Sequence, residues 1–147
     1  MKKILYSYRY HVYTVSVLLL SMLYLFACEN NATQAEDEIV LPEKDLNFVD
    51  HIQPLFIKKC ASRSGCHSAF EPARGLNLTD YQTIMTHFAV GTEPLVIPGK
   101  ANLSFLYNIL LGPVLDVGRM PKEEVSLNSN NINGVKVWID EGAAQFP

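Results

Sequence analysis

The 147-residue chain is poor in cysteine and tryptophan, with three of the first and one of the second. So few thiols cannot build a framework of several disulfides, and an apolar core must therefore hold the fold together. No acidic residue occurs before Glu29, and no charge of either sign lies between Val12 and Phe26. A basic excess is also missing: twelve Lys and Arg stand against fifteen Asp and Glu, for a formal charge of −3. Phosphate backbones demand a basic surface, so nucleic-acid binding is excluded as a class. The chain is too short for a second large domain, contains no internal repeat, and has no alternating run long enough to claim a strand.

The first 27 residues hold much of the apolar excess. Lys2, Lys3 and Arg9 precede the uncharged run from Val12 to Phe26, which is the pattern of an export signal. Fifteen residues at 1.5 Å each span only about 22 Å, short of the roughly 30 Å hydrocarbon core, which argues against a permanent spanning helix. An uncleaved anchor is the plain alternative. Ala27-Cys28 resembles the lipobox of bacterial lipoproteins, in which the cysteine is lipidated and becomes the new N-terminus. Lipidation at Cys28 would supply the two or more acyl chains that stable anchoring needs. Removing residues 1–27 takes away three basic residues and no acidic one, so the formal charge falls from −3 to −6.

Residues 28–44 are polar, carry Glu36-Asp37-Glu38 and lack helical periodicity, which reads as a flexible tether. The expected organisation is a signal peptide over 1–27, a tether over 28–44 and one folded domain over 45–147. Helical spacing places a first helix on Phe48, Ile52, Leu55 and Phe56, capped by Asp45 or Asn47, with Pro54 kinking or restarting it. Thr79 can cap a short helix through Tyr81, Ile84 and Met85. Asn102 or Ser104 can open a third, with Leu103, Leu106, Tyr107 and Leu110, ending near Gly112-Pro113. The last carries Ile132, Val135, Trp138 and Ile139 on one face, with Asn128 or Ser129 as cap and Gly142 as its stop. An interior glycine costs a helix about 1 kcal/mol, so Gly134 implies close approach of another element, for which the first helix is the natural partner. The expected fold is all-α, with four to five helices.

Once Cys28 is lipidated, Cys60 and Cys66 remain, in Cys60-Ala61-Ser62-Arg63-Ser64-Gly65-Cys66-His67. A Cys-His pair with a second cysteine upstream is how haem is attached covalently. Two thiols add to the vinyl groups, and the adjacent imidazole reaches the iron. Met120, in a loop and followed by Pro121, offers a thioether for the opposite side, and a His/Met pair favours reduced iron. His87 is the runner-up for that position, while His51 reads as helix surface and Met85 as core.

The region from Phe48 to Ala144 resembles the planctomycete-type cytochrome c domain, a branch of the class I cytochromes c. The likeness rests on Ile52-Gln53-Pro54-Leu55-Phe56, Lys59-Cys60-Ala61, Cys66-His67, Gly75-Leu76-Asn77-Leu78, Ile97-Pro98-Gly99-Lys100, Ser104-Phe105-Leu106, Met120-Pro121 and Trp138-Ile139-Asp140-Glu141-Gly142-Ala143. It implies that Cys60 and Cys66 attach one haem c, that His67 is the proximal iron ligand and that Met120 is the distal one. It further implies a single-electron carrier rather than an enzyme, a monomer that docks redox partner proteins. With the leader, that carrier is lipid-anchored outside the cytoplasm, facing the periplasm or the cell surface. Lys58, Lys59, Arg63 and Lys100 are candidates for a basic docking rim, or simply scattered surface charge.

One feature departs from the family pattern. Two residues usually separate the cysteines, and here there are five. Cysteines six apart on a continuous helix lie about 120° apart and some 9 Å along the axis, so Ser62–Gly65 must leave the helix for both thiols to meet one porphyrin. The bland readings of the same residues are a Cys60–Cys66 disulfide in a haem-free module, which would stabilise by about 2 kcal/mol, and a zinc site. A haem peroxidase would need an acid-base residue over the iron, for which His87 is the candidate.

Overall fold

The computed structural model describes residues 38–61, 66–70, 72–122 and 127–147. The leader, Cys28 and the tether up to Asp37 lie outside the described residues, as do Ser62–Gly65. Residues Ile39–Pro147 form one mostly helical unit. Among the described residues, no helix is long and apolar enough to cross a membrane.

The first helix, α1, is wound in three contiguous pieces: wide π-turns over Phe48–Ile52 and Ile57–Ala61, with an α-turn over Gln53–Phe56 between them. Asn47 is the cap, its Oδ1 accepting from the Asp50 amide at 2.8 Å. Pro54 does not end the helix, and the winding restarts at its own first turn, one of the two outcomes expected. It sits in the first turn of the α piece, and the widened winding before it accommodates a ring that has no N–H to donate. His51 is more than helix surface, because its Nδ1 accepts from the Asn47 amide at 3.1 Å and completes the cap.

The short helix α2 spans Tyr81–Thr86 and is capped by Asp80 rather than Thr79. The Asp80 carboxylate accepts from the Thr83 amide and hydroxyl, both at 2.7 Å. Thr79 is unavailable for that role, since its amide and hydroxyl both donate to Asn77 Oδ1, at 2.9 and 2.7 Å. A hairpin follows that periodicity could not show, with β1 (Phe88–Val90) antiparallel to β2 (Glu93–Pro94). Helix α3 spans Phe105–Leu111 and buries Phe105, Leu106, Ile109 and Leu110. Leu103 precedes it and is exposed. The buried Ser104 hydroxyl does not cap α3. It accepts from the Ile97 amide at 2.8 Å and donates to the Lys100 carbonyl at 3.0 Å, which locks the Ile97–Lys100 turn.

Helix α4 spans Ser129–Asp140, capped by Asn128 Oδ1 on the Asn131 amide at 2.7 Å. It ends as expected at Gly142, where φ is +102°. The Gly142 amide returns to the Ile139 carbonyl and the Ala143 amide to the Trp138 carbonyl, the paired bonds of a glycine-terminated helix. Trp138, Val135 and Ile139 are fully buried. The indole packs on Phe48, with ring centroids 6.1 Å apart, and donates Nε1–H to the Ala144 carbonyl at 3.0 Å.

The folded unit starts earlier than Asp45, because Ile39–Leu46 lies along α4 and runs in the same direction. Asn130 exchanges two hydrogen bonds with the Leu41 backbone, at 2.8 and 3.0 Å, and the buried Asn131 donates to the Ile39 carbonyl at 2.6 Å. At the other end the Glu141 carboxylate accepts from the Asp45 and Leu46 amides at 2.9 and 2.8 Å. Gly134 has a different partner from the one expected. Leu41, not α1, fills the notch: a Cβ built on Gly134 would stand 2.9 Å from the Leu41 Cβ and overlap its Cδ1.

Candidate functional site

Cys60 stands one residue before the end of α1, with its side chain against the apolar core. Burial pushes that thiol up to about 12, so it stays protonated at any ordinary pH. It is a free thiol, so no disulfide joins it to Cys66, which is exposed. The His67 amide donates to the Cys60 carbonyl at 3.3 Å. The chain therefore rejoins the end of α1 at His67, and the five-residue separation does not carry the two cysteines into unrelated parts of the fold. The expected excursion itself, Ser62–Gly65, lies outside the described residues.

His67 is held by the segment that follows it. The Leu78 amide donates to its carbonyl at 2.9 Å, and the Ala73 amide to the Cys66 carbonyl at 2.6 Å. Its Nδ1 lies 3.1 Å from the Leu76 carbonyl oxygen. A carbonyl can only accept, so Nδ1 must carry the proton, and in the neutral ring Nε2 then holds the lone pair. Burial lowers the imidazole pKa more than the Leu76 bond raises it, which favours the neutral form that a metal ligand must have. The Leu76 carbonyl reaches the ring because Arg74 and Gly75 are both left-handed, with φ of +55° and +71°.

Met120 arrives by a separate loop tied to the end of α3. Its amide donates to the Ile109 carbonyl at 2.9 Å, and the neighbouring Arg119 Nε donates to the Leu110 carbonyl at 3.1 Å. Its half-buried side chain packs on the same core as Cys60. The backbone ties thus gather Cys60, Cys66 and His67, whereas the ties of Met120 run to α3. His87 lies just past α2, as its C-terminal cap residue. Its pKa is lowered by burial and then by the charge of His67, so the two imidazoles are electrostatic neighbours.

Of the expected basic rim, Lys58 and Lys59 lie on the last turn of α1, whereas Lys100 sits beside the end of α4, where the Ala101 amide meets Asp140 Oδ1 at 2.9 Å. Arg63 lies outside the described residues. Among the described residues, no group of three His, Cys, Asp or Glu is placed to hold a metal ion, as a zinc site would require. Sequence reasoning missed two contributors, the Leu76 carbonyl and the Gln53 side chain, which donates to the Thr79 carbonyl at 2.8 Å. Gly75 signalled the first, since glycine is favoured where φ is positive. No family model matches the chain, and no curated protein or solved structure matches it either.

Proposed function

We propose that the protein is a covalent haem c-binding electron carrier, lipid-anchored through Cys28 outside the cytoplasm. Cys60 and Cys66 would hold the porphyrin, and His67 and Met120 the iron. The observation that carries this reading is the His67 Nδ1–H bond to the Leu76 carbonyl, beside Cys66 and joined to Cys60. An imidazole with its far nitrogen anchored on a carbonyl and its near nitrogen unprotonated is the donor that iron takes. The residues also fit in their polarity. Phe70, three residues past His67, is exposed and would offer apolar surface for a macrocycle to cover.

The bound haem would supply an iron that cycles between ferrous and ferric states. The chain's own part is to fix two ligands and to exclude water. His67 is oriented at its backbone and at its ring, and Met120 is tied at its backbone to α3; with both as ligands, the iron would have no position left for a substrate. That arrangement suits electron transfer rather than oxygen chemistry. A second reading of the distal side keeps the same function with His87, the runner-up by sequence, in place of Met120.

Full-length protein matured with a cytochrome c assembly system should carry haem that survives denaturation. Its complete absence would overturn the proposal in favour of the haem-free module. Met120→Ala should abolish the low-spin His/Met spectrum while His87→Ala leaves it intact, and the reverse outcome would transfer the distal role to His87. Mass of the exported chain reads lipid and porphyrin separately.

A further inference from the structure

We infer that Gln53 is a positioning residue for the His67 imidazole, acting through the backbone of residues 76–79; this rests on the reading of His67 as an iron ligand. Gln53 lies on α1, two turns before Cys60, and its Nε2–H donates across to the Thr79 carbonyl at 2.8 Å. Thr79 is the far end of a short rigid segment. Its amide and hydroxyl both close on Asn77 Oδ1, the Leu78 amide holds the His67 carbonyl, and the Leu76 carbonyl holds His67 Nδ1. The segment thus touches His67 twice and itself twice. The Gln53 carboxamide is the side-chain tie that fastens its end to the helix. Helix α1 therefore places the Cys60 thiol and also sets where the acceptor for the imidazole stands.

The consequence is chemical as well as structural. A firm Nδ1–H bond to a carbonyl makes the imidazole a stronger donor, which favours ferric iron and lowers the potential. If the segment is released, the bond lengthens and the potential rises.

Two variants of the full chain test this. Gln53→Met keeps the length of the side chain and removes the donor. Gln53→Glu cannot donate as a carboxylate but can as an acid. In matured protein, Gln53→Met should shift the midpoint potential upward. Gln53→Glu should show the same shift at neutral pH, and the difference from wild type should shrink as the pH falls through the carboxyl range. In haem-free protein, hydrogen exchange at the Leu78 amide should quicken roughly fivefold in Gln53→Met, the effect of losing one net hydrogen bond. An unmoved potential with unchanged exchange in folded Gln53→Met overturns the inference, as does a Gln53→Glu shift that ignores pH. Should Gln53→Met fail to fold, the two pH arms of Gln53→Glu decide. Should the chain take up no haem, the electron-transfer reading falls, and the exchange measurement alone decides whether Gln53 positions the segment.

Discussion

The end of α4 and the turn around His67 are both crowded with hydrogen bonds, but they are held by different forces. Around α4, the bonds accompany deep burial: Trp138, Val135, Ile139 and Ile52 show no exposed surface. Around His67, backbone ties also hold the chain, yet Phe70, three residues on, faces outward at 81% exposure. The first region is stabilised by area removed from water, and its polar bonds mainly satisfy groups that burial would otherwise strand. The second is a frame whose geometry is set by backbone hydrogen bonds around a half-buried imidazole. Substitutions should therefore separate the two: stability should respond in the first region and ligand chemistry in the second.

The largest effect belongs to the α4 side. Trp138→Ala removes a fully buried indole that touches Phe48 and closes on Ala144, and it should destabilise by about 3–5 kcal/mol. Denaturant unfolding of the haem-free chain reads this directly. A cost near 1 kcal/mol would mean that the region relaxes around the loss, and the contrast with the His67 side would disappear.

Gly134→Ala probes the same region through the strap formed by Ile39–Leu46 along α4. The added methyl meets Leu41, whose backbone is pinned by Asn130 while Asn131 holds Ile39 two residues before it, so Leu41 cannot simply slide away. A better helix former gains up to about 1 kcal/mol, overpacking costs about 1–3 kcal/mol, and a net loss of about 1–2 kcal/mol is expected. Leu41→Ala in the same chain should recover part of that loss, giving a coupling that independent sites would not show.

On the other side, His67→Ala in haem-free protein should cost only about 1 kcal/mol, the value of the single bond to Leu76, while ending any iron ligation from that position. The comparison is sharpened if folding barely moves and the spectrum of matured protein is lost. It is broken if the haem-free chain unfolds.

These differences also explain what could be read from the sequence. Asn47, Asn128 and Gly142 work through neighbours within a few residues, so their roles were legible as caps and a stop. Thr79 and Asp80 are adjacent candidates for one cap, and the choice turned on Asn77 claiming Thr79, a competition that propensity does not rank. The strap was invisible because Ile39–Leu41 is too short to show a period and its partners lie some ninety positions away; that distance also misdirected Gly134 toward α1. At the site, residue types were legible and geometry was not. Cys60, Cys66 and His67 announce a chemistry, but the Leu76 acceptor is a carbonyl, whose direction depends on two positive φ values rather than on any side chain.

The smallest effect lies between the two regions, at the Asp80 cap of α2, and it carries a pH signature. Hydrogen bonds from the Thr83 side chain and amide hold the Asp80 carboxyl below its ordinary range. A carboxylate with a depressed pKa contributes stability that is fully present above the range where the unfolded chain titrates, and it is lost as the pH falls through the folded-state pKa. Asp80→Ala should cost about 0.5–1 kcal/mol at neutral pH, the usual worth of an exposed cap. Asp80→Asn keeps an acceptor of the same shape and should lose less. Its stability relative to wild type should then rise on acidification, because wild type forfeits a contribution that the amide never had. Unfolding curves for the two variants at neutral and at acid pH give the comparison. Parallel pH dependence in wild type and Asp80→Asn would show that the cap works through its hydrogen bonds alone, with no contribution from charge at the start of so short a helix.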